Sequence, residues 1–500
     1  MIIIRKIFLI ILLVNTCLIA TSQEANFSFD KKESYQEKLK ILYSNDSYLL
    51  FTGEDTKKEI VLYKYSTDNV SLISKKELRF PVINGEQSEY LNIFYCNDKV
   101  CLFTTVFNKK NKYYTLYVTQ YNNTGEVLIN EKVVDEIKWT NKCFSSTYKL
   151  AFSSDSSKIL IYHKIDECDD KSTKGKYAFK ILGENMNILL HKEFELPFGF
   201  SKYYLSKFLV DKSNNISFIE SQYENSNDKL GDLFKISIVT YNSTQDKLVR
   251  TEIDINEKRY LNLDLQLTPK EDVLLTGAYA IDRDFGGSWE GISSLKGVFC
   301  ALIDKNSNNI SVKYKKDLDV LLTGDKKTEF HNVSLTGFTF MVDNGKNLYR
   351  YRLKNTFQLE NNQIVLFVQF EHSINGTYVK GPIIAINFNL KNEQEGWIKA
   401  YGFQDTKSNS TNNTESFSYI PFVRNGKINV LYNFNRRLQI NSNGESIDNT
   451  IYLETKDNKN LFLCKIMSPI KSSTLFILGT EHNSYENVPD YKICKITFKD

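Results

Sequence analysis

Asp282, Asp284, Trp289 and Glu290 sit within ten residues, DRDFGGSWEG, and are the side chains of this chain best suited to bind or transform a ligand. Asp282 and Asp284 have the spacing that begins a calcium loop, but the third ligand position is Gly286 and no bidentate acid follows at the twelfth place. Two carboxylates across a pocket are what glycoside hydrolysis requires, and Asp282, Asp284 and Glu290 could supply them. Trp289 could stack on a sugar ring or cap the edge of a sheet.

Other chemistry is thinly signalled. The five histidines, His163, His191, His331, His372 and His482, form neither HExxH nor an HxH pair, and there is no CxxC. No metal centre and no cofactor is therefore expected. The chain lacks GxSxG, GxGxxG and a P-loop. SSDSSKI at 153–159 begins like the Asp box of sialidases, but without its Gly and Trp it reads as a turn. NKKNKYY at 108–114 mixes Lys with aromatics. With 64 basic against 60 acidic residues, it reads as a solvated loop, and no nucleic-acid partner is expected.

The elements that must position these residues are strands. No segment sustains a helical period. Short alternating or fully apolar runs recur between Asn/Asp/Gly/Ser turns. One turn-plus-strand pattern recurs near 45, 97, 155, 213, 270, 361, 425 and 471, most often about 58 residues apart. The longer gap before 361 holds an insertion around 318–348. Each repeat accommodates four antiparallel strands, labelled A to D. The expected fold is therefore all-β: a β-propeller of seven or eight four-stranded blades. The last repeat lacks a D strand, and EANFSFD at 24–30 can supply it, so that the N-terminal strand closes the ring.

Arg5 and Lys6, an apolar run at 7–20 and small residues at Ala20 and Ser22 read as a secretory signal cleaved near Gln23. Residues 1–22 are thus expected to be a signal peptide and 23–500 a single propeller domain, secreted and extracellular, with no membrane span. Eleven N-x-S/T sequons, at Asn26, Asn45, Asn69, Asn122, Asn215, Asn242, Asn309, Asn332, Asn375, Asn409 and Asn412, would then be glycan sites.

LLTGAYA…LKGVFCALID, KEFELPF and FSYIPFVRNGKINVLYNFN resemble segments of uncharacterised secreted β-propeller-like proteins common in Bacteroidetes-type bacteria. The resemblance covers roughly residues 150 to 500. Its motifs are structural, so it implies the fold and carries no catalytic residue to this chain.

Seven of the eight cysteines follow the leader. Secretion permits disulfides. Cys96 and Cys101 flank the A–B turn of the second repeat, and Cys143 and Cys168 lie symmetrically about that of the third, so both pairs are expected to be bonded. Cys300, in GVFCALI, is expected to be a buried free thiol. Pairing the remaining cysteines would join Cys464 to Cys494, but they fall on strands A and C of one blade, about 10 Å apart, so either both are thiols or the last repeat is divided differently.

In a propeller the A–B and C–D turns share one face and the B–C and D–A loops the other. The first set is short here, and the second varies in length and composition. The expected activity is non-enzymatic binding of a glycan or an extracellular protein on the variable face, at Asp282, Asp284, Trp289 and Glu290. The alternative is a carbohydrate-active hydrolase or lyase using carboxylates in the same loops.

Overall fold

The computed structural model describes residues 25–27, 40–54, 59–138, 148–153, 155–165, 174–197, 203–223, 233–257, 260–280, 295–318, 342–343, 347–348, 351–359, 362–374, 377–391, 394–401, 419–432, 436–450, 461–466, 474–481 and 490–497. Residues 1–22, Cys143, Cys168, Asn332, Asn375, Asn409, Asn412 and nearly all of the insertion lie outside them. Among the described residues the regular structure is all β, and no helix is long and apolar enough to cross a membrane.

The protein is a β-propeller. Seven sheets have four antiparallel strands, and an eighth is a four-strand meander extended by the short strands Val342–Asp343 and Asn347–Leu348. Contacts divide the chain into two compact units, one holding blades 1, 7 and 8 and the other blades 2 to 6. In the first unit, strands A to C of blade 8 (Leu461–Ile466, Thr474–Glu481 and Asp490–Thr497) are completed by Ala25–Phe27. Ala25 pairs with Ile496 and Phe27 with Cys494, so the N-terminal strand is the missing D strand.

The turns explain why the strands end where they do. Five hairpins share one design: the first residue's N–H donates to the carbonyl of the fifth, and the fourth residue's N–H returns to the carbonyl of the first. They are Asn122–Glu126, Gly183–Asn187, Asp211–Asn215, Thr268–Asp272 and Asn441–Glu445. The fourth residue has positive φ in each: Gly125, Met186, Asn214, Glu271 and Gly444. Three-residue hairpin loops require this left-handed residue. In three of the five, an Asn or Asp at the first place accepts further backbone N–H groups: Asn122, Asp211 and Asn441. Such side chains satisfy donors that a tight turn leaves without a strand partner. SSDSSKI is likewise a turn. The Asp155 carboxylate accepts from the Ser157 N–H and from the Ser153 and Ser157 hydroxyls. Burial acts to raise its pKa, but these bonds prevail and lower it to about 2.

Strand parity builds the core. In blade 3, Tyr177, Phe179 and Ile181 on strand C (Lys176–Leu182) pack with Phe208, Phe218 and Val239 of blade 4. Leu182, of opposite parity, packs with Cys101, Phe103 and Leu116 of blade 2. Side chains alternate across a strand, so a strand between two blades is apolar on both faces. Phe179, Phe194, Phe208 and Phe218 form a continuous aromatic cluster, with neighbouring ring centroids at 4.6 Å and 5.0 Å. Each such ring stabilises the fold by about 1.5–3 kcal/mol through burial.

The cysteines correct one expectation. Cys96 and Cys101 are both free thiols. Cys96 is paired with Lys99, and Cys101 with Phe94. The two are diagonal neighbours rather than opposed, about 7–8 Å apart between Cα atoms, whereas a disulfide brings its Cβ atoms to about 3.8 Å. Cys300 is a buried free thiol, as expected. Strands Leu461–Ile466 and Asp490–Thr497, which carry Cys464 and Cys494, are separated by Thr474–Glu481.

Burial pushes the thiols of Cys96 and Cys300 up to about 12 and that of Cys101 to about 11. All three are expected to resist iodoacetamide in the native protein at pH 8 and to be alkylated once it is unfolded in guanidinium; peptide mapping reads both states. Removing residues 1–27 should expose the edge of Asp490–Thr497 and lower the denaturant midpoint, measured by tryptophan fluorescence.

Candidate functional site

Asp282, Asp284, Trp289 and Glu290 lie in segment 281–294, outside the described residues. The structure describes the roots of that loop, the end of Val273–Ala280 and the start of Leu295–Ile303. Both are braced by charge. The buried Tyr279 donates its hydroxyl to Asp317. Glu257, on the connection from blade 4, accepts from Lys296 at 2.8 Å and also pairs with Lys315. The Lys315 ammonium lies over the Tyr279 ring, 4.9 Å from its centroid. Gly297 makes this close packing possible, because a Cβ there would run into the Tyr279 hydroxyl and the Lys316 carbonyl.

Within the same unit, blades 2 and 3 meet differently at their two ends. At the tight-turn end they are joined by hydrogen bonds. Asn97 Nδ2 donates to the Ser157 carbonyl at 2.9 Å, Lys99 to Asn185 Oδ1 at 3.0 Å, and Lys132 to the Asn185 carbonyl at 3.3 Å. The joint repeats along the unit. Lys158 donates to the carbonyls of Asp211 and Lys212, and the Lys212 N–H donates to Glu271 at 3.2 Å. The A–B turns near 97, 155, 213 and 270 are therefore bonded in succession and share one face.

At the opposite end the same two blades part around a cleft of about 450 Å³. One wall is Val133–Lys138, the last part of strand D of blade 2. The other comes from strands B, C and D of blade 3 and includes His163, Lys180, His191 and Glu193. Most of its lining lies in the halves of these strands nearest the B–C and D–A loops; Lys180 and His191, which are paired with each other, sit just past mid-strand toward the C–D turn.

A buried charged cluster forms the back of the cleft. Leu116 is paired with Asp135 but Tyr117 with Val133, so Val134 is an inserted residue. Such a bulge re-aims its neighbours, and here Val134 and Asp135 are both buried in sequence. Asp135 faces His163 Nε2 at 3.1 Å through one oxygen and accepts from Lys180 through the other. Lys180 also donates to the Val134 carbonyl at 3.3 Å. His163 Nδ1 is 3.0 Å from the Lys164 carbonyl, and the Tyr148 ring meets the imidazole edge-on at 5.4 Å. Burial acts to raise the Asp135 pKa, but the bonds to His163 and Lys180 outweigh it and hold the carboxyl below its ordinary value. Both carboxylate oxygens are thus engaged within the protein, and each imidazole nitrogen lies beside a protein oxygen. Lys180 uses two of its three donors.

Asp135 and Lys180 match no motif. For His163 and Lys180 the signal is strand parity, whereas Asp135 is turned inward by the bulge. Ile159, Ile161 and His163 fall on one face of strand B, and Leu182 and Lys180 on the matching face of strand C, so both polar residues point with apolar neighbours at blade 2.

The sequons sort by geometry. Asn45, Asn69 and Asn309 are exposed in tight turns. Asn122 and Asn242 are half-buried and cap their turns through Oδ1. The Asn122 Nδ2 also donates to Glu126 at 2.7 Å, and the Asn215 Nδ2 donates to the buried Asp211 at 2.8 Å while its Oδ1 accepts from the Ser243 N–H at 2.9 Å. The Asn215 amide nitrogen that would carry a glycan is bonded within its own turn, and its Oδ1 fastens that turn to the one at Ser243. Asn26 lies within the N-terminal strand.

No family model matches this chain, and no curated protein matches it. Solved structures do. The Dos1 propeller is 9% identical over 96% of this chain and 97% of its own, with a TM-score of 0.44. A PL25 ulvan lyase, a polysaccharide lyase bound to -[GlcA(1-4)Rha3S]-, is 8% identical over 94% and 95%, with a TM-score of 0.41. The uncharacterized protein lmo1340 from Listeria monocytogenes is 9% identical over 86% and 99%, with a TM-score of 0.36. At this similarity nothing about activity transfers between the chains.

Asp135→Asn leaves Lys180 and His163 without their carboxylate. Loss of one partner from a buried pair typically costs 3–5 kcal/mol, and a destabilisation of about 3 kcal/mol is expected in urea titrations at neutral pH. A carboxyl with a lowered folded pKa stabilises in full above its unfolded value, and that contribution is lost as pH falls through the folded value. The gap between the two proteins should therefore close below the ordinary value of 3.8.

Proposed function

We propose that this protein is secreted through a cleaved signal at residues 1–22. Its single propeller domain, residues 23–500, acts as a non-enzymatic binding module. It engages a glycan or an extracellular protein through the face bearing the B–C and D–A loops. One observation carries this reading: blades 2 and 3 are bonded together at the tight-turn end and part around a polar cleft at the loop end. The loop with Asp282, Asp284, Trp289 and Glu290 joins strands B and C of blade 5 and so belongs to that loop end. Asp135 and His163 satisfy one another, which supports a binding wall over an acid–base pair. The likeness of residues 150 to 500 to secreted proteins of Bacteroidetes-type bacteria fits the same reading.

The second reading is a carbohydrate-active hydrolase or lyase using loop carboxylates. What favours it is the braced root of the blade 5 loop, where Tyr279, Asp317, Glu257 and two lysines converge at the strand ends that segment 281–294 joins.

The test uses the mature chain, produced with its glycans, on a glycan array. Replacing Asn45, Asn69, Asn122, Asn242 and Asn309 together by Gln, with the fastened Asn215 kept, should leave binding intact. Trp289→Ala should weaken it at least fivefold. The reverse pattern would move the site to the tight-turn face. Shortened products from a bound glycan, lost in an Asp282→Asn, Asp284→Asn, Glu290→Gln triple variant, would establish the enzymatic reading instead.

A further inference from the structure

We infer that the cleft between blades 2 and 3 is a subsite for an uncharged, hydroxyl-rich ligand, the chemistry of a neutral sugar. The inference rests on the binding reading above and names the ligand class for one part of that face.

Size admits such a ligand. A cleft of about 450 Å³ lies within the range of small-molecule sites, roughly 300–1,000 Å³. Charge then selects among ligands. The lining carries three carboxylates, Asp135, Glu136 and Glu193, two ammonium groups, Lys138 and Lys180, and the imidazoles of His163 and His191. Asp135, Lys180 and His163 largely neutralise one another at the back. At the rim Glu136, Lys138, His191 and Glu193 are exposed and of mixed sign. An anion entering here meets Glu136 and Glu193, and a cation meets Lys138 and Lys180, so neither gains a favourable field.

A hydroxyl suits both kinds of group. It donates to a carboxylate, which can only accept, and accepts from an ammonium, which can only donate. Adjacent hydroxyls on one ring can therefore bridge Glu193 or Glu136 to the third donor of Lys180. Between these polar groups lie Val133, Ile137, Ile165 and Ala178, an apolar surface for the C–H face of a ring. Val133 is 48% exposed in its strand and is open to such a contact.

The experiment is calorimetry of the mature chain with a panel of neutral di- and trisaccharides and with uronic-acid disaccharides of matched size. Neutral sugars should bind. Their affinity should change less than twofold between 50 and 500 mM NaCl, because no net ion pairing is screened. The exposed replacements Glu136→Gln and Glu193→Gln keep the buried cluster intact. Together they should weaken neutral sugars at least tenfold, with circular dichroism unchanged. Tighter binding of uronates, falling with salt, overturns the assignment. Neutral sugars that bind equally well to the double variant but not to Trp289→Ala also overturn it, while leaving the loop-face reading in place. Capture of a protein partner with no sugar bound does the same. If neither sugar nor protein binds, both the subsite and the reading beneath it fall.

Discussion

The apolar contact between successive blades is the constraint on which the described part of this protein depends. Strands B and C of blade 3 bury one parity against blade 2 and the other against blade 4. Ile219, Ile236 and Ile238 of blade 4 continue the arrangement against Val273, Leu275 and Phe299 of blade 5. An isolated four-stranded sheet would leave both faces wet. Each blade is therefore stable only between neighbours, as in other stacked-repeat folds.

Tight turns convert that packing into rigidity at one end. Each needs one left-handed residue and a capping side chain, and those caps occupy the polar groups of the turn. What remains reaches sideways. Lys132, Lys192 and Thr251, each on the D strand of its own blade, reach the C–D turn of the next at Asn185, Asp246 and Asn308. Ligand access at that end would cost several hydrogen bonds at once. Toward the loop end, among the described residues, blades 2 and 3 are joined by the Tyr148 hydroxyl donating to the Tyr114 carbonyl and by a charged cluster around a bulge.

That cluster shows how stability and accessibility are balanced in a β interface. A buried carboxylate is costly to desolvate, and Asp135 is tolerated because His163 and Lys180 reach it from two different strands of the next blade. The cleft lies beside this cluster, next to apolar contacts of Val134, Ile137 and Tyr148.

Much of the fold is legible in the sequence because its causes are local. The turn at SSDSSKI, the repeat near 58 residues and the unpaired final strand all follow from turn chemistry and alternation. Parity likewise marks Cys300 as buried. The side-chain meetings between blades were beyond that reach, although the pairing of the N-terminal strand with the last blade was not. The bulge at Val134 sets whether Asp135 points in or out, and no residue type announces it. The two-residue turn at Asn97 and Asp98, both at positive φ, fixes the register that separates Cys96 from Cys101. His163 is visible as a lone histidine, but its partners lie on another blade and another strand. Local sequence determines which residues turn and which alternate. Only the tertiary structure decides which charges meet, because those meetings depend on register between strands joined by packing rather than by sequence proximity.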